Sequence, residues 1–473
     1  MGKIWNFEDF NDSVALVDDK GNSVTYSQIL AEEKKLEASN KNQPLVMLLC
    51  RNSMGAIFSY ITYLNSGAHL MMVSAGLPLS MRNGILKAYK PDYILLPEEE
   101  KKEYQHMSEE AKYYDYCLLK TNYVDHYPVN PDLGLLITTS GSTGSVKFVR
   151  QSFENVRNNA KVYVKFMEVD SSERTITALP LQYAYGLCNI NSTLMAGGRI
   201  AITQKSVVEA DFWDFFDEME ITSFHGVPNV YEMLCHIGIF EENMPTLKFF
   251  TASGGKLSNE MQKYYAEYAK KYNKRFLLIY GQTETTGVIS YLAGQDALNK
   301  PGSAGKALQG TKLYLEDENG KEITEIDKAG ELCFEGPNVT MGYAECGQDL
   351  IKGDEWKGKL KTGDVGHIDK DGFFFITGRL KRFIKMFGHR TSLDEIDEKI
   401  MDALHIATVS SGTDNNLVIF VLKESDKTAV SDFIRKNIPA VKANFKVSVI
   451  EEFPRSESGK IKFGELLEIA KKL

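Results

Sequence analysis

Along the first two-thirds of the chain, short apolar runs alternate with stretches in which apolar residues recur at helical spacing. Leu45 to Leu49, Ile200 to Thr203 and Phe276 to Ile279 read as buried strands, and Met54 to Ser66 as a helix. This alternation predicts α/β layering. From about Pro301 the pattern becomes β-rich. Thr311 to Leu315, Glu331 to Glu335 and Phe373 to Thr377 read as strands separated by Gly and Asp-Gly turns. The pattern changes again after Arg379. Ser392 and Glu395 have capping-box spacing, and Leu393, Ile396, Ile400 and Leu404 then share one helical face. Two strands flank the polar turn Gly412 to Asn416, and Val430 to Asn437 reads as a second helix. The predicted fold is α/β. Residues 1–378 form a large domain of α/β subdomains plus a β-rich subdomain, 379–382 a hinge, and 383–473 a small mobile α+β domain. No repeat or low-complexity tract interrupts this order.

A chain of 473 residues exceeds what one hydrophobic core organises. Its formal charge of −9 argues against a general nucleic-acid binder, which needs a basic surface. The charge is uneven. From Arg379 onward there are 17 basic and 14 acidic residues, against 38 and 50 in the remainder. A mildly basic tail suits an anionic substrate or an acidic protein partner. The six cysteines are scattered without a C-x-x-C pair, so a reducing compartment is expected and disulfides or a zinc site are not. The N-terminus has no signal-peptide run, and no stretch reaches the ~18 apolar residues of a membrane span. A cytoplasmic location follows as the expectation.

The most informative stretch runs from Leu135 to Lys147, LLITTSGSTGSVK. An apolar strand leads into a loop of hydroxyl residues and glycines that ends on a lysine. Backbone N–H groups, hydroxyls and an ammonium in such a loop can all face phosphate oxygens. It fits neither the Walker A nor the G-x-G-x-x-G pattern. Read alone, such a run is more often a plain flexible loop.

Eight further strings remove that ambiguity. LPLQYAYGL (179–187), SGGKL (253–257), YGQTETTG (280–287) and KPGSAGKAL (300–308) follow the glycine-rich loop. GELCFEGPNVTMGY (330–343), KTGDVGHID (361–369), GRLKRFIKMFG (378–388) and PRSESGKIKF (454–463) complete the set. In this order, over nearly the whole chain, they resemble the adenylate-forming (AMP-binding) superfamily of acyl-CoA synthetases, adenylation domains and luciferases.

The resemblance implies ATP-dependent activation of a carboxylic acid through an acyl-adenylate, pyrophosphate release, and acyl transfer to a thiol by domain alternation. It implies that Thr139, Ser140, Gly141, Ser142, Thr143, Gly144 and Lys147 hold phosphates, although Val146 and Phe148 replace the usual proline and glycine. Tyr280 resembles the residue stacked on adenine, with Gly254 and Gly255 on its other face. Thr283 resembles the α-phosphate contact and Glu284 the Mg²⁺ ligand. Asp364 resembles the ribose-binding carboxylate, assisted by Arg379. Lys460 resembles the lysine that the small domain brings to the reacting carboxylate and α-phosphate. Lys381 would be the hinge, with Lys385 and Gly388 facing a channel for the thiol.

For the acyl pocket the resemblance implicates Tyr183, Ala184, Tyr185, Ser253 and Val288. Adenylation domains for α-amino acids place an aspartate where Ala184 stands. An unpaired ammonium in a closed pocket costs several kcal/mol, so a free α-amino acid is not the expected substrate. The acceptor is either CoA or the phosphopantetheine of a separate acidic carrier protein, toward which the basic tail tilts. The alternatives are an amine or hydroxyl acceptor, and a catalytically silent nucleotide-binding relative. The latter would be expected to lack Glu284, Asp364 or Lys460, and all three are present.

Overall fold

The computed structural model describes residues 3–39, 42–138, 147–386, 389–414, 416–438, 445–456 and 459–473. Among these residues, one sheet has fourteen strands and another eight. At the centre of the larger sheet, Arg199–Ile202, Arg174–Ile176, Ser223–Gly226, Phe249–Ala252 and Arg275–Tyr280 run parallel. Every residue of Phe249–Ala252 is buried, as expected of a parallel strand covered on both faces. The same sheet continues antiparallel through Ser290–Ala293, Ser303–Ala307, Phe374–Arg379, Lys359–Ile368, Gly330–Glu335 and Lys312–Glu316. The α/β and β-rich stretches of the sequence are therefore hydrogen-bonded into one sheet.

In the smaller sheet Leu45–Cys50 pairs in parallel with His69–Ser74 and Tyr93–Pro97, and Leu133–Thr138 extends the parallel set. The helix Met54–Asn65 lies between the two sheets with all of its residues buried. Its sequence, MGAIFSYITYLN, is apolar on nearly every side, the pattern of a core helix with no solvent face. One core joins Leu48, Leu70 and Leu135 of the smaller sheet to Leu16, Ile200 and Ile202 of the larger. Ile57 and Ile61, with Leu187 and Leu194 of the helix Ala184–Ala196, fill the space between.

Beyond residue 382 the chain forms the hairpin Phe383–Met386 and His389–Ser392, and a sheet of Val409–Thr413, Asn416–Val421 and Phe445–Val449. Helices Leu393–Leu404, Asp426–Asn437 and Phe463–Ala470 accompany them. Ile384, Ile396, Ile400, Leu417, Val430 and Ile434 form a core of their own. Ser392 accepts the Glu395 N–H at 3.2 Å, the first half of the expected capping box. Glu395 turns instead to Lys399, one helical turn on, at 2.7 Å. The second helix starts at Asp426, one turn before the expected Val430, and its polar first turn carries no apolar periodicity by which the sequence could mark it. Among the described residues, no helix is long and apolar enough to cross a membrane.

Candidate active site at the strand ends

Ser223–Gly226, Phe249–Ala252 and Arg275–Tyr280 end at one edge of the sheet. Crevices beyond the carboxyl ends of parallel strands are the usual ligand sites of such sheets. The loops leaving this edge hold Val227-Pro228-Asn229, Ser253-Gly254-Gly255 and Gly281 to Gly287. Ser253 is buried, and its N–H donates to Gly226 O at 3.2 Å. Gly254 has φ +88°, and a Cβ there would overlap the Tyr183 hydroxyl, so glycine is required twice over. A Cβ on Gly255 would press on Pro228.

Asp364, 1% exposed, is the hub of the site. The Tyr280 hydroxyl donates to its Oδ2 at 2.6 Å, and Gln282 Nε2 donates to the same oxygen at 2.8 Å and to Thr362 O at 3.0 Å. Arg379 is its cross-strand neighbour and brings Nε to 2.8 Å from Oδ1. The Asp364 carboxylate holds the Arg379 guanidinium above its ordinary pKa, and burial and then Asp364 push the Tyr280 phenol well above its own. Despite the nearby Arg379 cation, Asp364 Oδ1 has no aligned hydrogen-bond donor. A buried carboxylate oxygen with open acceptor capacity suits a ligand hydroxyl such as that of a ribose.

Thr283–Thr285 forms a single 3-10 turn in which Glu284 is half-buried. Gln151 Nε2 donates to Thr283 O at 3.3 Å, and Thr340 N–H to Glu284 O at 3.0 Å. Asn338 Nδ2 donates to Thr285 O and Val288 O at 2.8 and 2.6 Å. The turn is thus held largely through its carbonyls. The Tyr343 hydroxyl donates to Glu284 Oε1 at 2.8 Å, while Lys147 Nζ lies 3.5 Å from the centroid of the Tyr343 ring. Phe148, in the position usual for glycine, is no loop residue. It opens the strand Phe148–Ser152 and packs edge-on against Tyr89 at 5.2 Å.

Lys460 arrives from the C-terminal unit. Arg455 and Ile461 pair across a tight turn in which Ser456 N–H donates to Lys460 O at 2.8 Å and Gly459 N–H to Ser456 O at 2.9 Å. Gly459, at φ +77°, faces Val227 and Asn229 of the large unit. The Lys460 ammonium lies 5.1 Å from the centroid of the Tyr183 ring. Burial pulls it below the ordinary lysine range, the Arg379 cation acts the same way, and Glu284 and Asp364 oppose both. Lys256, in the SGGKL loop, adds a surface ion pair with Glu398 across the two units at 2.6 Å.

On the expected acyl side, Ala184 and Tyr185 begin the helix Ala184–Ala196, and both are buried together with Val288. At the expected hinge Lys381 is exposed, between Arg379 and the buried Arg382. Asp394 accepts the Arg379 N–H at 3.2 Å through Oδ2 and Arg382 Nε at 2.5 Å through Oδ1. Lys385 is exposed in its hairpin, its N–H donating to Asp414 at 2.7 Å within the C-terminal unit. Thr139, Ser140, Gly141, Ser142, Thr143, Gly144 and Gly388 lie outside the described residues.

The structure therefore gathers Tyr280, Glu284, Asp364, Arg379, Lys460, Tyr183 and the Gly254–Gly255 pair around one crevice. Sequence reasoning passed over Gln282, Tyr343 and Asn338. All three lie inside strings already recognised, and their polar side chains amid apolar or glycine neighbours were the signal available. ATP suits the open acceptor on Asp364. Mg²⁺ suits Glu284, since that ion commonly takes one or two protein carboxylates and completes its shell with phosphate and water. Among the described residues no cluster of three ligating side chains provides a fuller metal cage.

A family described as "AMP-binding enzyme" matches residues 5–344. Oxalate–CoA ligase from Arabidopsis thaliana is 28% identical over 357 residues, 72% of this chain and 68% of that protein. ATP-bound MatB from Rhodopseudomonas palustris superposes with a TM-score of 0.81 at 20% identity, covering 98% of this chain and 97% of that one. O-succinylbenzoate coenzyme A synthetase (MenE) from Bacillus subtilis, in complex with ATP and magnesium ion, superposes at 0.77 with 21% identity, covering 96% of each chain. At these identities the two superpositions speak for the fold alone.

Proposed function

Because the chain belongs to the AMP-binding enzyme family, we propose that it joins a carboxylic acid to ATP as an acyl-adenylate, releases pyrophosphate, and passes the acyl group to a thiol. The observation that carries this reading is Lys460, delivered by a separate unit of the chain into the field of Glu284 and Asp364 and beside Tyr183.

A carboxylate is a poor electrophile until its oxygen gains a good leaving group, and AMP is that group. Bringing two anions together requires cations and fixed donors where charge accumulates. Lys460 supplies a mobile cation to the α-phosphate and substrate carboxylate. Its ammonium gives up charge more easily than an ordinary lysine, and arriving anions restore that charge. Asp364 orients the nucleotide through its open oxygen. Tyr280 and Gly254–Gly255 flank the adenine, Thr283 contacts the α-phosphate, and Arg379 touches the ribose. Thr139 to Gly144 and Lys147 hold the outer phosphates. Glu284 would hold Mg²⁺, which would supply charge neutralisation for the phosphates. Lys381 is the proposed hinge between a large domain, residues 1–378, and a small domain, 383–473. Its rotation withdraws Lys460 and presents Lys385 and Gly388 to the thiol.

Ala184 offers no carboxylate to an ammonium, which disfavours free α-amino acids. The oxalate ligase among the relatives acts, by its name, on a small acid and CoA, which supports CoA as acceptor here. The basic tail supports a carrier-protein phosphopantetheine as the other candidate, and a cytoplasmic setting suits either.

The test is carboxylate-dependent ATP–pyrophosphate exchange across fatty, aryl, hydroxy and amino acids. At least one acid supports exchange if the reading holds, and none does if the protein is a silent nucleotide binder. AMP release that depends on CoA or a carrier thiol, and not on amines or alcohols, establishes the acceptor. Normal adenylation by a Lys460→Ala variant that loses only thioester formation would sink the assigned division of labour.

A further inference from the structure

Five buried polar side chains link the interior of the larger sheet to the proposed acyl pocket, and the mechanism above uses none of them. Glu173 precedes the strand Arg174–Ile176, and its carboxylate accepts the Ser223 hydroxyl. Ser223 Oγ lies 3.1 Å from His225 Nε2, and His225 Nδ1 lies 2.8 Å from Thr251 Oγ1. Thr251 Oγ1 in turn meets the Tyr185 hydroxyl in a short hydrogen bond. Strand geometry accounts for the alignment. Ser223 and His225 are two residues apart and share a face, and Thr251 is the registered neighbour of His225 on the next strand.

The proton positions in this chain are interdependent. Burial pushes the pKa of His225 down to about 3, so the ring is neutral and carries one N–H. With Glu173 as a carboxylate, Ser223 donates to it, His225 Nε2–H donates to Ser223, Thr251 donates to Nδ1, and Tyr185 donates to Thr251. All four links are then made in one direction. With Glu173 protonated the direction reverses, and the Tyr185–Thr251 link persists with Thr251 as donor. In either case the phenol oxygen is held at one point. An interior of aromatic residues would accept phenylalanine at this position, so burying five polar groups gains orientation rather than packing.

The ring held in this way stands where an acyl chain would extend. Tyr185 shares an apolar cluster with Tyr163, Cys188, Val227, Ile279, Val288 and Leu308, and its ring centroid is 6.3 Å from that of Tyr183, which faces Lys460. The far wall is also close. A Cβ on Gly287 would overlap Cys188 Sγ, whose thiol donates to Thr286 O at 3.1 Å.

We propose that Glu173, Ser223, His225 and Thr251 are positioning residues that pin Tyr185 across the acyl pocket, and that the pinned ring restricts the enzyme to compact carboxylic acids. This rests on the adenylation reading above and deepens it to a substrate class.

The test measures pyrophosphate exchange by the full-length enzyme with compact acids (acetate, butyrate, oxalate, malonate, benzoate) and extended ones (octanoate, decanoate, cinnamate). The wild type is expected to favour the best compact acid over the best extended one by roughly 100-fold in kcat/KM, the scale that pocket fit supports. Tyr185→Ala, which removes the ring, should abolish the preference. Tyr185→Phe keeps the ring and cuts the tether, and Thr251→Val cuts it from the other side. Each should shrink the preference by about tenfold, through KM for the acid with KM for ATP unchanged, and the double variant should match either single one. Thr251→Ser keeps a hydroxyl and should restore the discrimination. A wild type that uses extended acids as well as compact ones, a Tyr185→Phe variant with intact discrimination, or a Thr251→Ser variant that behaves like Thr251→Val overturns the inference and leaves adenylation standing. Absence of exchange with every acid overturns both.

Discussion

The two sides of the crevice are built on opposite principles. On the proposed nucleotide side, Asp364, Arg379, Gln282, Glu284 and Tyr343 form a charged network only partly withdrawn from water. On the proposed acyl side, Tyr185, Val288 and Cys188 are buried, and their polar atoms are tied inward, Tyr185 to the relay through Thr251 and Cys188 to Thr286 O. A site that binds anions needs charges able to exchange one partner for another. A site that measures shape needs walls that stay where they are.

If this contrast is sound, removing a charge should damage catalysis, whereas disturbing the relay should alter stability and selectivity. The largest effect is expected at Lys460. Lys460→Ala should slow adenylation by roughly 10²–10³-fold, typical of losing a donor aimed at developing charge. Because the folded pKa of Lys460 lies below its ordinary value, the wild-type rate should fall on the alkaline side at a lower pH than an ordinary lysine would give. That limb should be missing from the variant's pH–rate profile. Asp364→Ala comes next, with a rise of roughly 10–100-fold in KM for ATP, since it removes the nucleotide acceptor and leaves Arg379 and the Tyr280 hydroxyl unpartnered.

On the proposed acyl side, the folded pKa of His225 is about 3 against an ordinary 6.5. Its neutral form therefore adds stability that is complete above pH 6.5 and is lost progressively as pH falls toward 3. Thermal melts from pH 7 to 4 should show that His225→Gln flattens this loss. A smaller effect is expected for Tyr343→Phe, which frees Glu284. Calorimetry of ATP binding without any acid present should show roughly tenfold weaker dependence on Mg²⁺. The smallest is Lys256→Ala, which breaks an exposed ion pair and should cost less than about 1 kcal/mol by denaturant titration.

The nucleotide side was the more legible in the sequence. Its residues lie in short strings of distinctive composition, so Tyr280, Glu284, Asp364 and Lys460 could be singled out by resemblance, and the structure brings them together. The strand Leu45–Cys50 and the helix Met54–Asn65 were legible for a different reason, their uninterrupted apolar character. The relay was not. Glu173, Ser223, His225 and Thr251 are brought together by strand register, which a linear pattern does not disclose. The tie between Tyr343 and Glu284 was hidden similarly, since 59 positions separate the two residues.

Asp394 grips the chain on both sides of the proposed hinge, through the amide of Arg379 and the guanidinium of Arg382. Only Leu380 and Lys381 lie between those two grips. If the small domain turns, the motion is confined to the torsions of that pair, and the loss of one grip while the other holds would define where the swing begins. Such a joint behaves as a pivot with a latch, more like a door than a flexible tether.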